Sequence, residues 1–161
     1  MLILYMRTKT QKINDIKYGK KHEHRVKPVL ETLFGTLNMS DNQYDNFDFN
    51  NNKFYVEHKQ RNIAFGQYDS LIFDKVKYDR YLELKQKEPH KQFFICWSLS
   101  SGLYMWEFKE NDDEFYLRDK YDVDRGCWDN TKKQICVLNK YIDPFYDFEK
   151  IVVKKSKKSK T

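Results

Sequence analysis

Ile16, Gly19, Glu23, Val26, Leu30 and Leu33 follow one another at spacings of three or four, with Val29 and Phe34 alongside. That period predicts a helix over residues 14–34. Asn14 or Asp15 caps its start, Gly35 stops it, and residues 1–12 read as a polar lead-in. Pro28 removes a backbone donor inside this run, so a kink or a later helix start is expected. The pattern then changes. YDNFDF and KFYVEHKQ are rich in aromatic and β-branched residues, and Asn50-Asn51-Asn52 between them predicts a β-hairpin. Residues 74–87 return to a helical period through Tyr78, Tyr81 and Leu82, and Pro89 ends that helix.

FFICWSL (93–99) is nearly all apolar, as a strand covered on both faces must be. Ser100-Ser101-Gly102 turns the chain into LYMWEFK as its hairpin partner. After the Asn111-Asp112-Asp113 turn, short strands near 114–118 and 134–142 are expected to complete the sheet. Trp97 and Trp106 are packing residues, and Tyr78 and Tyr81 belong to the core. The order predicts an α/β fold: one domain over residues 1–153, followed by a basic, disordered tail at 154–161.

Composition sharpens this picture in two places. The 161 residues carry a net charge of +6, but Lys154, Lys155, Lys157, Lys158 and Lys160 supply five of those charges, which leaves residues 1–153 at +1. Any binding face on the domain must therefore be a local arrangement. Cys96, Cys127 and Cys136 are odd in number and lack CxxC spacing, which argues against a disulfide framework or structural zinc. No apolar run approaches the roughly 20 residues of a membrane span, and the first residues lack a secretory cleavage pattern. An intracellular protein of cytoplasm or nucleus, not a secreted one, is expected.

The candidate chemistry lies between Asp48 and Lys59. Side chains alternate along a strand, so Glu57 and Lys59 share a face. A two-residue Asn51-Asn52 turn sets Asp48 opposite Tyr55 and diagonal to Glu57, and a three-residue turn sets Asp45 opposite Glu57. Asp48 is preferred, with Asp45 in reserve. Two carboxylates can hold Mg²⁺, and a neighbouring lysine can orient a water or offset charge developing on phosphorus. Glu23 shares the helical stripe of Val26 and Leu30, where a carboxylate needs compensation from a metal or from Lys27 four residues on. His58 reads as a buried neutral imidazole with one hydrogen bond, or as the mark of a wetter site or of a domain that kept its fold and lost activity.

A glutamate on a helix, an aspartate on a hairpin strand and E-x-K on its partner resemble the PD-(D/E)XK, or restriction-endonuclease-like, nuclease superfamily. The resemblance is sharpest over GKKHEHRVKPVLETLFG and FDFNNNKFYVEHKQRN and extends loosely to about residue 142. In texture the chain is similar to small lysine-, asparagine- and tyrosine-rich nuclease-like proteins of large DNA viruses. The resemblance implies a central mixed β-sheet flanked by helices, with Glu23, Asp48 and Glu57 as ligands of Mg²⁺ or Mn²⁺ and Lys59 as the catalytic lysine. It implies a nuclease acting on DNA more than RNA, often as a homodimer. Arg61, and Lys75 and Lys77 at the second helix, are the candidate nucleic-acid contacts. No proline precedes Asp48, and His58 takes the usually apolar middle position of E-x-K. The competing expectations are a nuclease-like fold that binds nucleic acid without cutting it, and a virion-associated interaction protein tethered by its tail.

Overall fold

The computed structural model describes residues 8–40 and 47–147. Asp45 and the 154–161 tail lie outside them.

Helix α1 spans Lys9–Phe34, starting earlier than its apolar period suggests. Thr8 accounts for the difference: its side chain accepts from the Gln11 N–H while the Gln11 side chain accepts from the Thr8 N–H. This reciprocal capping box satisfies two otherwise orphaned donors. The helix passes through Pro28 without interruption, and Pro28 is exposed. It stops at Gly35, whose φ of 77° suits a residue without a Cβ and whose N–H returns to Glu31 O.

Two short strands, β1 (Asn38–Met39) and β2 (Phe49–Asn50), lead to β3 (Phe54–Gln60). After β4 (Ser70–Asp74) and helix α2 (Lys75–Lys87) the chain re-enters as β5 (Gln92–Leu99), parallel to β3. Parallel neighbours need such a long crossover. Strands β6 (Gly102–Glu107) and β9 (Asp143–Asp147) complete a mixed six-stranded sheet in the order β1-β2-β3-β5-β6-β9. The structure departs from the expected layout at β7 (Phe115–Asp122) and β8 (Cys127–Leu138). These strands do not extend that sheet; they join β4 in a second one, ordered β4-β8-β7.

The large sheet is covered on both faces. On one, Val26, Leu30 and Phe34 of α1 pack with Phe49, Val56, Cys96 and Leu103. On the other, Phe93, Ile95, Trp97 and Leu99 of β5 meet Tyr81 and Leu84 of α2 and the inward residues of the second sheet, Leu71, Phe73, Ile135 and Val137. Fully burying each such side chain contributes about 1.5–3 kcal/mol. Strand β5 therefore has to be apolar on both faces, as its sequence is. Alternation along β3 turns Val56 and His58 toward α1, and Tyr55, Glu57 and Lys59 toward α2.

Candidate active site

The hairpin register differs from both registers expected from sequence. Phe49 pairs with Val56 and Asn50 with Tyr55, so the turn falls at Asn52-Lys53. The Asn51 side chain sets this choice. Its Oδ1 accepts from the N–H groups of Lys53 and Phe54, while its Nδ2 donates to Phe34 O and Thr36 O just past α1. Continuing the register brings Asp48 level with Glu57. Regular pairing ends there: the His58 N–H, next in the ladder to face β2, donates to Asp48 Oδ2 at 2.8 Å. A carboxylate thus takes the place of a backbone acceptor at the sheet's interrupted edge, and Phe47 turns its ring into the core.

Glu57 is only 4 % exposed and carries two ammonium groups. Lys77 Nζ from α2 lies 2.9 Å from its Oε2, and Lys59 Nζ lies 3.4 Å from its Oε1. Lys77 also sits over the Phe47 ring, 5.3 Å from its centroid. Burial, and then the neighbouring Asp48 charge, push the Glu57 carboxyl up to about 7 against the pull of both lysines. Asp48 is raised as well, by burial first and by Glu23 second; the His58 N–H and the two lysines act in the opposite sense. Glu57 therefore titrates in the field of Asp48, and Asp48 in that of Glu23.

Glu23 lies half-buried on α1, close enough for its charge to act on Asp48. Lys27 pairs with Glu31 at 3.7 Å. His58 is buried, with Nε2 2.7 Å from Ser98 Oγ, and burial, then the charges of His22, Lys59 and Arg61, depress it to about 3. It is a neutral imidazole with one side-chain partner, as its position in E-x-K suggested. Arg61 lies just beyond the end of β3, exposed, its Nη1 donating to Gln60 O. Lys75 stands at the start of α2 and pairs with Asp79 at 2.7 Å. Lys77, grouped with Lys75 by sequence, points inward to Glu57. Its position three residues into the crossover helix was the only sequence signal for that role, and the signal does not distinguish the inner face from the outer.

The donors of Asp48 and Glu57 are hard carboxylate oxygens, suited to Mg²⁺ or Mn²⁺. Among the described residues no three His, Cys, Asp or Glu side chains form a group able to hold a metal by themselves. The pair fits an ion that keeps several waters and takes one or two carboxylates together with substrate phosphate. Oδ2 of Asp48 accepts from the His58 N–H. No helix among the described residues is long and apolar enough to cross a membrane. The chain matches no protein-family model, no curated protein and no solved structure.

Proposed function

We propose that the protein is a metal-dependent nuclease with a restriction-endonuclease-like core that hydrolyses phosphodiester bonds of nucleic acid, DNA foremost. The observation that carries this reading is the convergence of Asp48, Glu57, Lys59 and Lys77 at one interrupted sheet edge. Holding a buried carboxylate beside a second acid costs several kcal/mol when nothing offsets it. A site built only for stability has no need of that pair. The surrounding layout adds support: a helix bearing Glu23 precedes the hairpin, each arm supplies an acid, and a crossover helix leads to a strand parallel to the E-x-K strand.

In this reading Asp48 and Glu57 would hold the divalent ion, which would supply Lewis acidity and an acidified water. Glu23 adds negative charge behind Asp48. Lys59 shares the strand face of Glu57 and places its ammonium group where it orients the attacking water and offsets charge gathering on the phosphate. Lys77 neutralises Glu57 and keeps its carboxylate directed toward α2. The His58 N–H holds the Asp48 carboxylate in the plane of the sheet.

The test is cleavage of plasmid and short DNA by the full chain in Mg²⁺ or Mn²⁺. Lys59→Ala is expected to lower the rate by about 10²–10³-fold. Glu57→Gln should abolish cleavage, with circular dichroism unchanged in both variants. Cleavage undiminished in both would falsify the assignment.

A further inference from the structure

A cavity of about 220 Å³ opens beside this site, between the free edge of β4 and the end of β3. Its lining includes the apolar Ile63, Leu71, Ile72 and Trp97 and the cationic Arg61 and Arg118. Trp97 is the β5 residue in register with Lys59, and Arg61 follows Lys59 by two residues. The cavity is therefore one step along the strand from the proposed catalytic lysine, about 7 Å at strand rise.

Three features mark it as a built site. The indole N–H of Trp97, fully buried beneath the cavity, donates to Ile72 O at 3.4 Å, so no unmet donor lies below it. The loop at 61–69 that forms the outer wall is tied down at several points. Ile63 O accepts from Ser100 N, Phe65 N donates to Ser101 Oγ, and Asn139 Nδ2 donates to Tyr68 O. The Phe65 ring also stacks on Tyr104 at 4.4 Å. A wall fixed in advance needs no ordering when a ligand arrives. The third feature is charge. Arg80 and Arg125 each pair with a carboxylate, whereas Arg61 and Arg118 have none within ion-pair distance among the described residues. Among the described residues Arg118 is held through Nε by Gln134 Oε1, which leaves the terminal nitrogens of its guanidinium fork to an incoming anion.

An apolar slot of this size with two guanidiniums at its rim, neither in an ion pair among the described residues although the Asp74 charge reaches Arg61, suits a flat, largely apolar ring that carries an anion. We propose that the cavity takes one nucleotide of the substrate strand, its base between Ile63, Leu71 and Ile72 and its phosphate between Arg61 and Arg118. This rests on the phosphodiesterase reading and names the substrate class: a strand with an unpaired nucleotide next to the bond to be cut. A paired base enters such a slot only after leaving its stack, which costs a few kcal/mol in intact duplex. Tyr68, 60 % exposed at the mouth, offers a face for the neighbouring base.

The experiment is calorimetric titration of the full chain, without divalent ions, with deoxyadenosine monophosphate, deoxyadenosine and inorganic phosphate separately. The monophosphate should bind at least about tenfold more tightly than either fragment, and Arg118→Ala should remove about tenfold of that affinity. Ile63→Trp, which fills the slot from the loop, should abolish binding. Equal affinity for phosphate and nucleotide, or indifference to both Arg118→Ala and Ile63→Trp, overturns the proposal. Failure of the nuclease reading looks different: nucleotide binding persists while no metal supports cleavage. If cleavage occurs, single-stranded and frayed substrates should be cut faster than blunt duplex. Equal rates on the two, like a faster rate on duplex, reject the slot as the substrate's seat.

Discussion

Two buried residues that follow one another in sequence, Glu57 and His58, respond to pH in opposite senses. Glu57 binds its proton more tightly folded than unfolded, so the stability it lends is complete below its ordinary value of 4.5 and is lost as pH rises through about 7. His58 is held neutral, down to about 3 from 6.5, so the unfolded chain takes up its proton first and stability is lost as pH falls below 6.5. The two effects oppose each other between 4.5 and 6.5, and above that window the loss due to Glu57 stands alone. Asp48 is raised too and acts in the same sense as Glu57. In scanning calorimetry without divalent ions, the melting temperature of Glu57→Gln relative to the native protein should therefore climb from about pH 5 to about pH 8. A difference that does not change with pH removes burial of an ionising acid from the account of this site.

At the scale of elements, the Asn51 turn couples the hairpin to the end of α1. Four hydrogen bonds pass through that one side chain, two to the turn and two to the carbonyls of Phe34 and Thr36. At about 0.5–1.5 kcal/mol each, Asn51→Ala should cost about 2–4 kcal/mol in urea unfolding. It should also release the register that sets Asp48 level with Glu57, so that cleavage falls further than stability alone explains; full activity in a destabilised variant would separate turn from site. The same turn marks the limit of what the sequence discloses. Helix α2 and strand β5 are legible because their period, their terminal proline and their uninterrupted apolar run are local properties. So is the shared face of Glu57 and Lys59. The register is not local: three consecutive asparagines can each form a turn, and a contact to α1, seventeen residues back, selects among them. Strand β4 is likewise silent. SLIFD is short, and its partners in β8 lie sixty or more positions further along the chain. Residues 134–138 consequently read as more of the first sheet.

Over the whole molecule, charge and chemistry are separated. The candidate site and the cavity beside it lie in a chain whose residues 1–153 carry only +1, while five lysines occupy its last eight positions. Non-specific affinity for nucleic acid follows the number of phosphates neutralised, and each contact contributes about 0.7–0.9 to the slope of log affinity against log salt. If the lysines 154–160 supply that affinity, deleting residues 154–161 should flatten the slope by up to about 4 and weaken binding most at low salt. Turnover at saturating DNA should not change, because Lys59 is placed by β3 and Arg118 by β7 and Gln134. The measurement is salt-dependent DNA binding by fluorescence anisotropy, paired with kcat for the native and shortened chains. An unaltered slope puts the phosphate contacts on the folded body, and Lys75, Lys120 and Lys132 around the start of α2 become the next group to neutralise. A lowered kcat ties the tail to the chemistry and overturns the separation.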